Sequence, residues 1–354
     1  MNFLRNAWYC AAWAEEVTRK PLARTLLNEK VVLYRKEAGG IIALANVCAH
    51  RFAPLHTGML HGDALACPYH GMQYAEGGAC IHNPHGGVPV NLRVKGYRVV
   101  ERHRVAWIWM GDSALADESL IPDFSAHADL EYATVTGLIP IRGDYQLVAD
   151  NLLDLSHTQY LHPILTLEAD PEVVTEYDVL QEGNVIQTVF NQLNTKPFGF
   201  VNFVWPDAPA RVSSYSGIRW QAPANMLLKI HFVSLDPAVK KEIRIWGAEL
   251  ITPESDMRCH YFWSASRNFR LEDQEFGATL RQTIGNVFTS EDGPMIASVQ
   301  ENMGTESDLI GMKPLIFPTD VAAAKARRIL RALISQETAP TQEKVSGADL
   351  PSTG

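Results

Sequence analysis

NVCAHRFAPLHTGMLHGDALACPYHGMQY, residues 46 to 74, carries two short groups of metal-binding side chains, Cys48-Ala-His50 and Cys67-Pro-Tyr-His70. Two thiols and two imidazoles, one pair from each of two loops, form a donor set that few frameworks need. A [2Fe-2S] centre with two cysteines on one iron and two histidines on the other is one of them, and imidazole in place of thiolate raises its reduction potential. Cys2His2 is also a zinc set, but zinc modules usually present CxxC and HxxxH knuckles rather than mixed CxH and CxxH pairs. The plainest alternative treats both cysteines as small buried hydrophobes, the usual fate of a lone cysteine. Cys10, Cys80 and Cys259 have no comparable neighbours and read as structural thiols, and His56, His61, His82, His85 and His103 as surface or turn residues.

Around these loops, from Val31 to Trp109, runs such as VVLYR, GGIIAL and VVERHRVAWIWM are separated by Gly, Pro, Asn and Asp clusters, the pattern of a small all-β unit. GDSALADESLIPDF, from Gly111 to Phe124, reads as a connector, with the boundary near residue 120. Beyond it, QLVADNLLDLSHTQYLH (146 to 162) has helical spacing, whereas NMLLKIHFVSL, EIRIWGAELIT and RCHYFWSAS read as sheet strands. A helical stretch runs from about Leu271 past Met303, and VAAAKARRILRALIS is amphipathic enough to dock as a helix. The expectation is an α+β chain with an all-β [2Fe-2S] domain over 1–120, a sheet-plus-helix domain over 121–335 and a disordered tail over 336–354. No internal repeat, GxGxxG or Walker-type loop occurs, so nicotinamide or nucleotide binding has no recognisable seat here.

A chain of 354 residues favours two folded units, and its formal charge of -9 without a Lys/Arg cluster argues against nucleic acid as a partner. The start MNFLRNAWYC lacks a basic segment followed by a long apolar run, and no window approaches a membrane span, so a cytoplasmic chain with no membrane partner is expected. Five cysteines at irregular spacing suit a reducing compartment.

A second group of ligand-type residues lies in the helical segment. Asn151, Asp154 and His157 are spaced by three, which puts them on one helix face. His162 follows five residues after His157, about 140° away at 100° per residue, so a regular helix would not let both bind one metal. Pro163 pushes His162 out of the α region and lets its imidazole swing back. Two histidines plus a carboxylate make the facial triad of non-haem Fe(II) oxygenases. Asp292 is the candidate, because Phe276, Leu280, Ile284, Phe288, Asp292, Ile296 and Val299 follow one stripe and Asp292 stands where an apolar residue belongs. Two other readings stay open from spacing alone: Gly293-Pro294 breaks the helix and leaves Asp292 in a solvated turn, or His157 and His162 are isolated core histidines.

The segments NAWYCAAW, CAHRFAPL, CPYHGMQY, VAWIWMGD, DNLLDLSHTQYLHP and SEDGPMIASVQE resemble the Rieske oxygenases of the vanillate O-demethylase, dicamba O-demethylase and toluenesulfonate methyl-monooxygenase group, over roughly residues 1 to 330. The resemblance implies a Rieske domain followed by a helix-grip catalytic domain. It implies cluster ligands Cys48, His50, Cys67 and His70, iron ligands His157, His162 and Asp292, and a bridge from Asp154 to the cluster histidine of a neighbouring subunit in a homotrimer; Asp154 and Asn151, which share the polar helix face, are the candidate catalytic residues. One departure is Gly293-Pro294 directly after Asp292, where related chains tend to keep a helix running.

Taken with the missing nucleotide motifs, the resemblance implies that NADH is oxidised by a separate flavin and ferredoxin-type reductase. The chain would then use dioxygen and one [2Fe-2S] cluster with one mononuclear Fe(II) to O-demethylate a methoxylated aromatic acid such as vanillate, releasing formaldehyde. Methyl hydroxylation of an aryl sulfonate and demethylation at nitrogen are alternatives within the same machinery. Lys229 and His231 fall on one strand face with His260 in a nearby strand, and they hold the substrate anion if that face is inward; an outward, solvated lysine is the other reading. Outside the oxygenases, a Rieske electron carrier would need only the first 120 residues or so, and a passive helix-grip binding module would leave Asp154, His157 and His162 without a purpose.

Overall fold

The strands Trp8–Trp13, Val105–Trp109, Gly96–Arg102, Gly39–Ala45, Glu29–Lys36 and Leu22–Leu26 pair in that order into one antiparallel sheet. Trp8–Trp13 and Val105–Trp109 are buried at every position, because Tyr9, Ala11 and Ile108 enter one core while Trp8, Trp107 and Trp109 enter another. Burial on both faces is why WYCAAW and VAWIW read as unbroken apolar runs. Four short strands, Met59–His61, Ala64–Ala66, Gln73–Tyr74 and Cys80–His82, make a second sheet; Cys67 and His70 sit in its loop after Ala66, and Cys48 and His50 on the connection that enters it from strand Gly39–Ala45.

This computed structural model describes residues 3–338. Its larger sheet has seven antiparallel strands in the order Ala133–Arg142, Arg258–Arg267, Glu242–Ser255, Asn225–Ser234, Val212–Gln221, Val185–Thr195 and Val174–Glu182. Helix Gln274–Val287 starts where the Asp273 carboxylate accepts from the Phe276 amide at 2.8 Å, a side-chain cap. It buries Phe276 and Leu280 against the sheet. Sheet and helix thus enclose the space that holds the site.

The two β-rich units share a wall. Asn225 donates to the Trp8 carbonyl at 3.1 Å and Thr252 to the Cys10 carbonyl at 2.7 Å, while the amides of Leu27 and Asn28 reach the carbonyls of Pro253 and Glu254. One hydrophobic core runs through both, from Leu33 and Ile108 to Trp220 and Ile251. By contrast, among the described residues no hydrogen bond or ion pair joins residues 46–94 to the helical segments that carry His157, His162 and Asp292.

The helix expected to dock does so within its own chain. Buried Arg327 on helix Val321–Thr338 grips Asp150 on helix Tyr145–Leu153, with Nε at 2.8 Å and Nη2 at 2.7 Å from Oδ2. That helix continues to Thr338, so residues 336 to 338 of the expected tail are helical, and the rest of the tail lies outside the described residues. No helix among the described residues is long and apolar enough to cross a membrane.

Candidate functional site

Helix Tyr145–Leu153 stops at Asp154, whose backbone leaves the helical region at φ -106, ψ 89. The Asp154 carboxylate turns onto the next turn, its Oδ1 accepting from the Ser156 amide at 3.0 Å and the Ser156 hydroxyl at 2.6 Å. Such local side-chain bonds compete with the helical ladder. A tight turn, Leu155–His157, and a short helix, Thr158–Leu161, follow, and His162 is extended (φ -114, ψ 99) ahead of Pro163. The chain therefore opens at His162 as Pro163 predicts. It also breaks eight residues earlier in sequence, which corrects the expectation that Asn151, Asp154 and His157 share one regular helix face.

Those two breaks bring the imidazoles together. His157 Nε2 and His162 Nε2 stand 3.1 Å apart, and they lie 3.5 Å and 3.4 Å from Asp292 Oδ1. Three donors each ~2.1 Å from one centre and at right angles to one another would be ~3 Å apart, so the triangle fits a metal ion held on one face. Each ring's other nitrogen is engaged: His162 Nδ1 meets Glu291 Oε2 at 2.6 Å, and His157 Nδ1 donates to the Asp154 carbonyl. A proton fixed on Nδ1 leaves the Nε2 lone pair for the metal. Asn151 donates from Nδ2 to Asp292 Oδ1 at 3.0 Å, which holds the carboxylate in place. Burial pushes the Asp292 carboxyl upward, yet the two imidazoles outweigh it and hold the group down at about 2.

Asp292 reaches this point through a widened turn. Between helices Gln274–Val287 and Gly293–Met303, residues Phe288–Asp292 form a π-helical turn in which the Gly293 amide reaches back to the Phe288 carbonyl. Pro294 has no N–H to give an α-helical ladder, and the extra residue in the turn absorbs that loss. A Cβ on Gly293 would stand 2.7 Å from the Phe288 carbonyl oxygen, so the turn requires glycine there. The helical path runs on through Gly293-Pro294 rather than ending in a solvated turn. Val299, expected on the buried stripe, is instead 36% exposed because the widened turn shifts the face.

In the smaller sheet, tight turns bring the Cys67 amide to the Met72 carbonyl at 2.7 Å and the Cys48 amide to the Ala53 carbonyl at 2.9 Å. Both thiols are buried, and Cys48 Sγ lies 3.2 Å from the Tyr74 hydroxyl. The rings of His50 and His70 sit 4.7 Å apart at the outer edge. His70 Nδ1 is buried with no hydrogen-bond partner among the described residues, an orphan that an iron would satisfy. This donor set, thiols inward and imidazoles outward, fits a [2Fe-2S] cluster with its histidine iron toward the surface.

A cavity of about 200 Å³ opens from the His157, His162 and Asp292 triangle between the large sheet and helix Gln274–Val287. Its wall is mostly apolar, with Ile218, Leu228, Ile230 and Phe232 from adjacent strands, and Gln192, Ser214, Ser216 and Ser264 add polar points. On strand Asn225–Ser234 the even-numbered residues thus face the cavity, and Lys229 and His231 face away. Lys229 is exposed, its Nζ 5.7 Å from the Trp246 ring; His231 pairs with Glu242; and His260 bonds the Thr25 carbonyl at 2.9 Å across the domain wall. None of the three lines the cavity, which corrects their expected substrate contact.

Two carboxylates escaped the sequence reading. Glu291, beside Asp292, holds His162, and Glu249 is buried in the cavity wall. The argument used for Asp292, a carboxylate inside an apolar run, would have found Glu249 in GAELIT.

Residues 7–97 match the Rieske [2Fe-2S] domain and residues 141–336 the vanillate O-demethylase oxygenase C-terminal domain. The chain is similar to the oxygenase component of dicamba O-demethylase from Stenotrophomonas maltophilia, at 37% identity over 96% of this chain and 100% of that one. It is 36% identical to the oxygenase component of chloroacetanilide N-alkylformylase from Rhizorhabdus wittichii, covering 97% and 99% of the two chains. Among solved structures, dicamba monooxygenase with non-heme iron and dicamba superposes with a TM-score of 0.83 at 34% identity, over 95% of this chain and 99% of that one.

Proposed function

This chain belongs to the Rieske oxygenases that share the vanillate O-demethylase oxygenase C-terminal domain, and on that premise we propose that it is the terminal oxygenase of a multicomponent system that removes a methyl group from an aryl methyl ether. The observation that carries this reading is the triangle of His157, His162 and Asp292 donors opening into an apolar cavity. In it, Cys48, His50, Cys67 and His70 hold the [2Fe-2S] cluster, and His157, His162 and Asp292 hold a mononuclear iron. Together the two groups, when bound, supply electrons and activate dioxygen next to the substrate. The ether, dioxygen, two electrons and two protons give a hemiacetal, Ar–O–CH2OH, and water; the bond between the aryloxy oxygen and CH2 then breaks and the hydroxyl proton passes to that oxygen, which yields a phenol and formaldehyde.

The protein's own part is positioning. Asn151 and Glu291 fix Asp292 and His162, and the apolar wall excludes water from the methyl group. Electrons come from a separate flavin and ferredoxin-type reductase, since the chain has no nucleotide motif of its own. All five cysteines are buried and none is joined in a disulfide, which suits the cytoplasm.

The working unit in this reading is a homotrimer in which the His70 edge of one subunit meets Asp154 of the next. Phe52 and Tyr69 are exposed beside the cluster, and Tyr160 and Leu315 lie exposed near Asp154, so each of the two faces has apolar surface to cover. Asp154 Oδ2 takes no hydrogen bond among the described residues, leaving an oxygen for a neighbour's imidazole. The test is metal content and turnover on the purified protein. Three irons per chain, and equal amounts of phenol and formaldehyde from an aryl methyl ether with reductase and NADH, are expected. A fully loaded protein that yields no formaldehyde from a broad panel of such ethers would sink the proposal.

A further inference from the structure

Glu249 is the one ionisable side chain that lines the cavity, among the described residues, apart from the three of the metal triangle. It is 4% exposed, and its neighbours in the chain, Ala248, Leu250 and Ile251, are fully buried hydrophobes. The carboxyl's Oε2 accepts from the Tyr261 hydroxyl, whereas Oε1 takes no hydrogen bond among the described residues. A Cβ on Gly247, another lining residue, would stand 2.5 Å from that free oxygen. The glycine therefore makes room for Oε1 at the cavity wall. Among the described residues no lysine or arginine lines the cavity, so no cationic side chain at its wall pairs with a negative charge on Glu249 or on a ligand beside it. Burial pushes the Glu249 acid up to about 8, with the Tyr261 hydroxyl opposing it only in part.

We propose that Glu249 donates a hydrogen bond from its carboxyl group to an acceptor atom of an uncharged aromatic substrate, and that this cavity selects amide-, ketone- or ester-bearing arenes over aryl carboxylates and sulfonates. The proposal rests on the cavity's being the substrate site of an aryl-ether demethylase. Its physical basis is an asymmetry of cost. A neutral acid that meets an acceptor gains a hydrogen bond in a dry site, while an anion placed beside Glu249 loses its water with no lysine or arginine in return. An acid group aimed at the substrate would also orient the ring, so that the methyl group points to the metal triangle instead of the far wall.

The test is ligand binding to the loaded, oxidised protein without reductase, where no turnover occurs, measured by titration calorimetry. Probes are the three methoxybenzamide isomers, the matching methoxybenzoates and methoxybenzene itself. At least one amide should bind tenfold or more tightly than its benzoate. Glu249→Leu should weaken that amide about tenfold and leave methoxybenzene unchanged, and Glu249→Gln, which keeps a donor of the same shape, should retain most of the affinity. Benzoates that bind as tightly as amides overturn the proposal, as does a Leu variant that weakens both amide and methoxybenzene equally or neither. The cluster spectrum of each variant checks that it has folded. Adding reductase and NADH separates the two levels. Amide selectivity through Glu249 without formaldehyde keeps this contact and removes the demethylase reading, and formaldehyde from benzoates with no dependence on Glu249 does the reverse.

Discussion

His162 is held from two sides, by Glu291 on Nδ1 and by the company of His157 and Asp292 around Nε2. Replacing His157 by Ala should leave the cluster's absorbance intact and remove the third iron along with all turnover, because two donors do not make the facial set. Full iron occupancy in that variant, by metal analysis, would show that His157 is no ligand. Glu249 gives a second, pH-dependent expectation. Its folded-state value of about 8 lies above the ordinary 4.5, so across that interval the folded chain keeps a proton that the unfolded chain has lost. Stability is greatest below the unfolded value and falls as pH rises through about 8. Glu249→Gln carries no such slope. Its melting temperature relative to the parent should climb from about pH 5 to about pH 9, by on the order of a few kcal/mol of folding free energy; parallel curves would mean that the group ionises freely. At this scale the spacing of Cys48, His50, Cys67 and His70 was readable at once. The facing of Lys229 stayed open in the sequence for a physical reason: its strand offers one mostly apolar face and one mixed face, and it is the apolar one that lines the cavity.

At the scale of elements, the carriers of the site are two interrupted helices. Pro163 announced one interruption in the sequence, because proline restricts the residue before it. Asp154 did not announce the other, since an aspartate becomes a helix stop only when its carboxylate finds a nearby amide, here that of Ser156. The apolar stripe from Phe276 onward located Asp292, but a π-helical turn has no periodic signature and so Val299 was placed on the wrong face. Gly293→Ala tests the turn. Its new Cβ would crowd the Phe288 carbonyl, so Asp292 must shift, and iron affinity should fall by tenfold or more with the cluster signal unchanged. Wild-type iron binding in that variant would mean that the turn tolerates a side chain and that glycine is incidental.

Over the whole molecule, the order of an all-β unit followed by a sheet-plus-helix unit could be read from the change from short β runs to long mixed patterns. The shared wall could not, because contacts such as Asn225 to Trp8 join residues more than two hundred positions apart and leave no local pattern. In the proposed ring, Asp154→Asn should leave both metal groups and the trimer intact, yet slow oxidation of the reduced cluster by orders of magnitude in single-turnover mixing with substrate and dioxygen. An unaltered rate would reduce Asp154 to the stop signal it gives its own helix.

The wall between the domains and the missing bonds between the cluster loops and the iron helices have a joint consequence. With the halves clamped along one edge, and with the proposed ring setting His70 of one subunit against Asp154 of the next, electron delivery becomes a property of association. Specific activity should then depend on dilution: below the dissociation point of the ring, each subunit would be fully reducible and yet unable to spend the electron it holds.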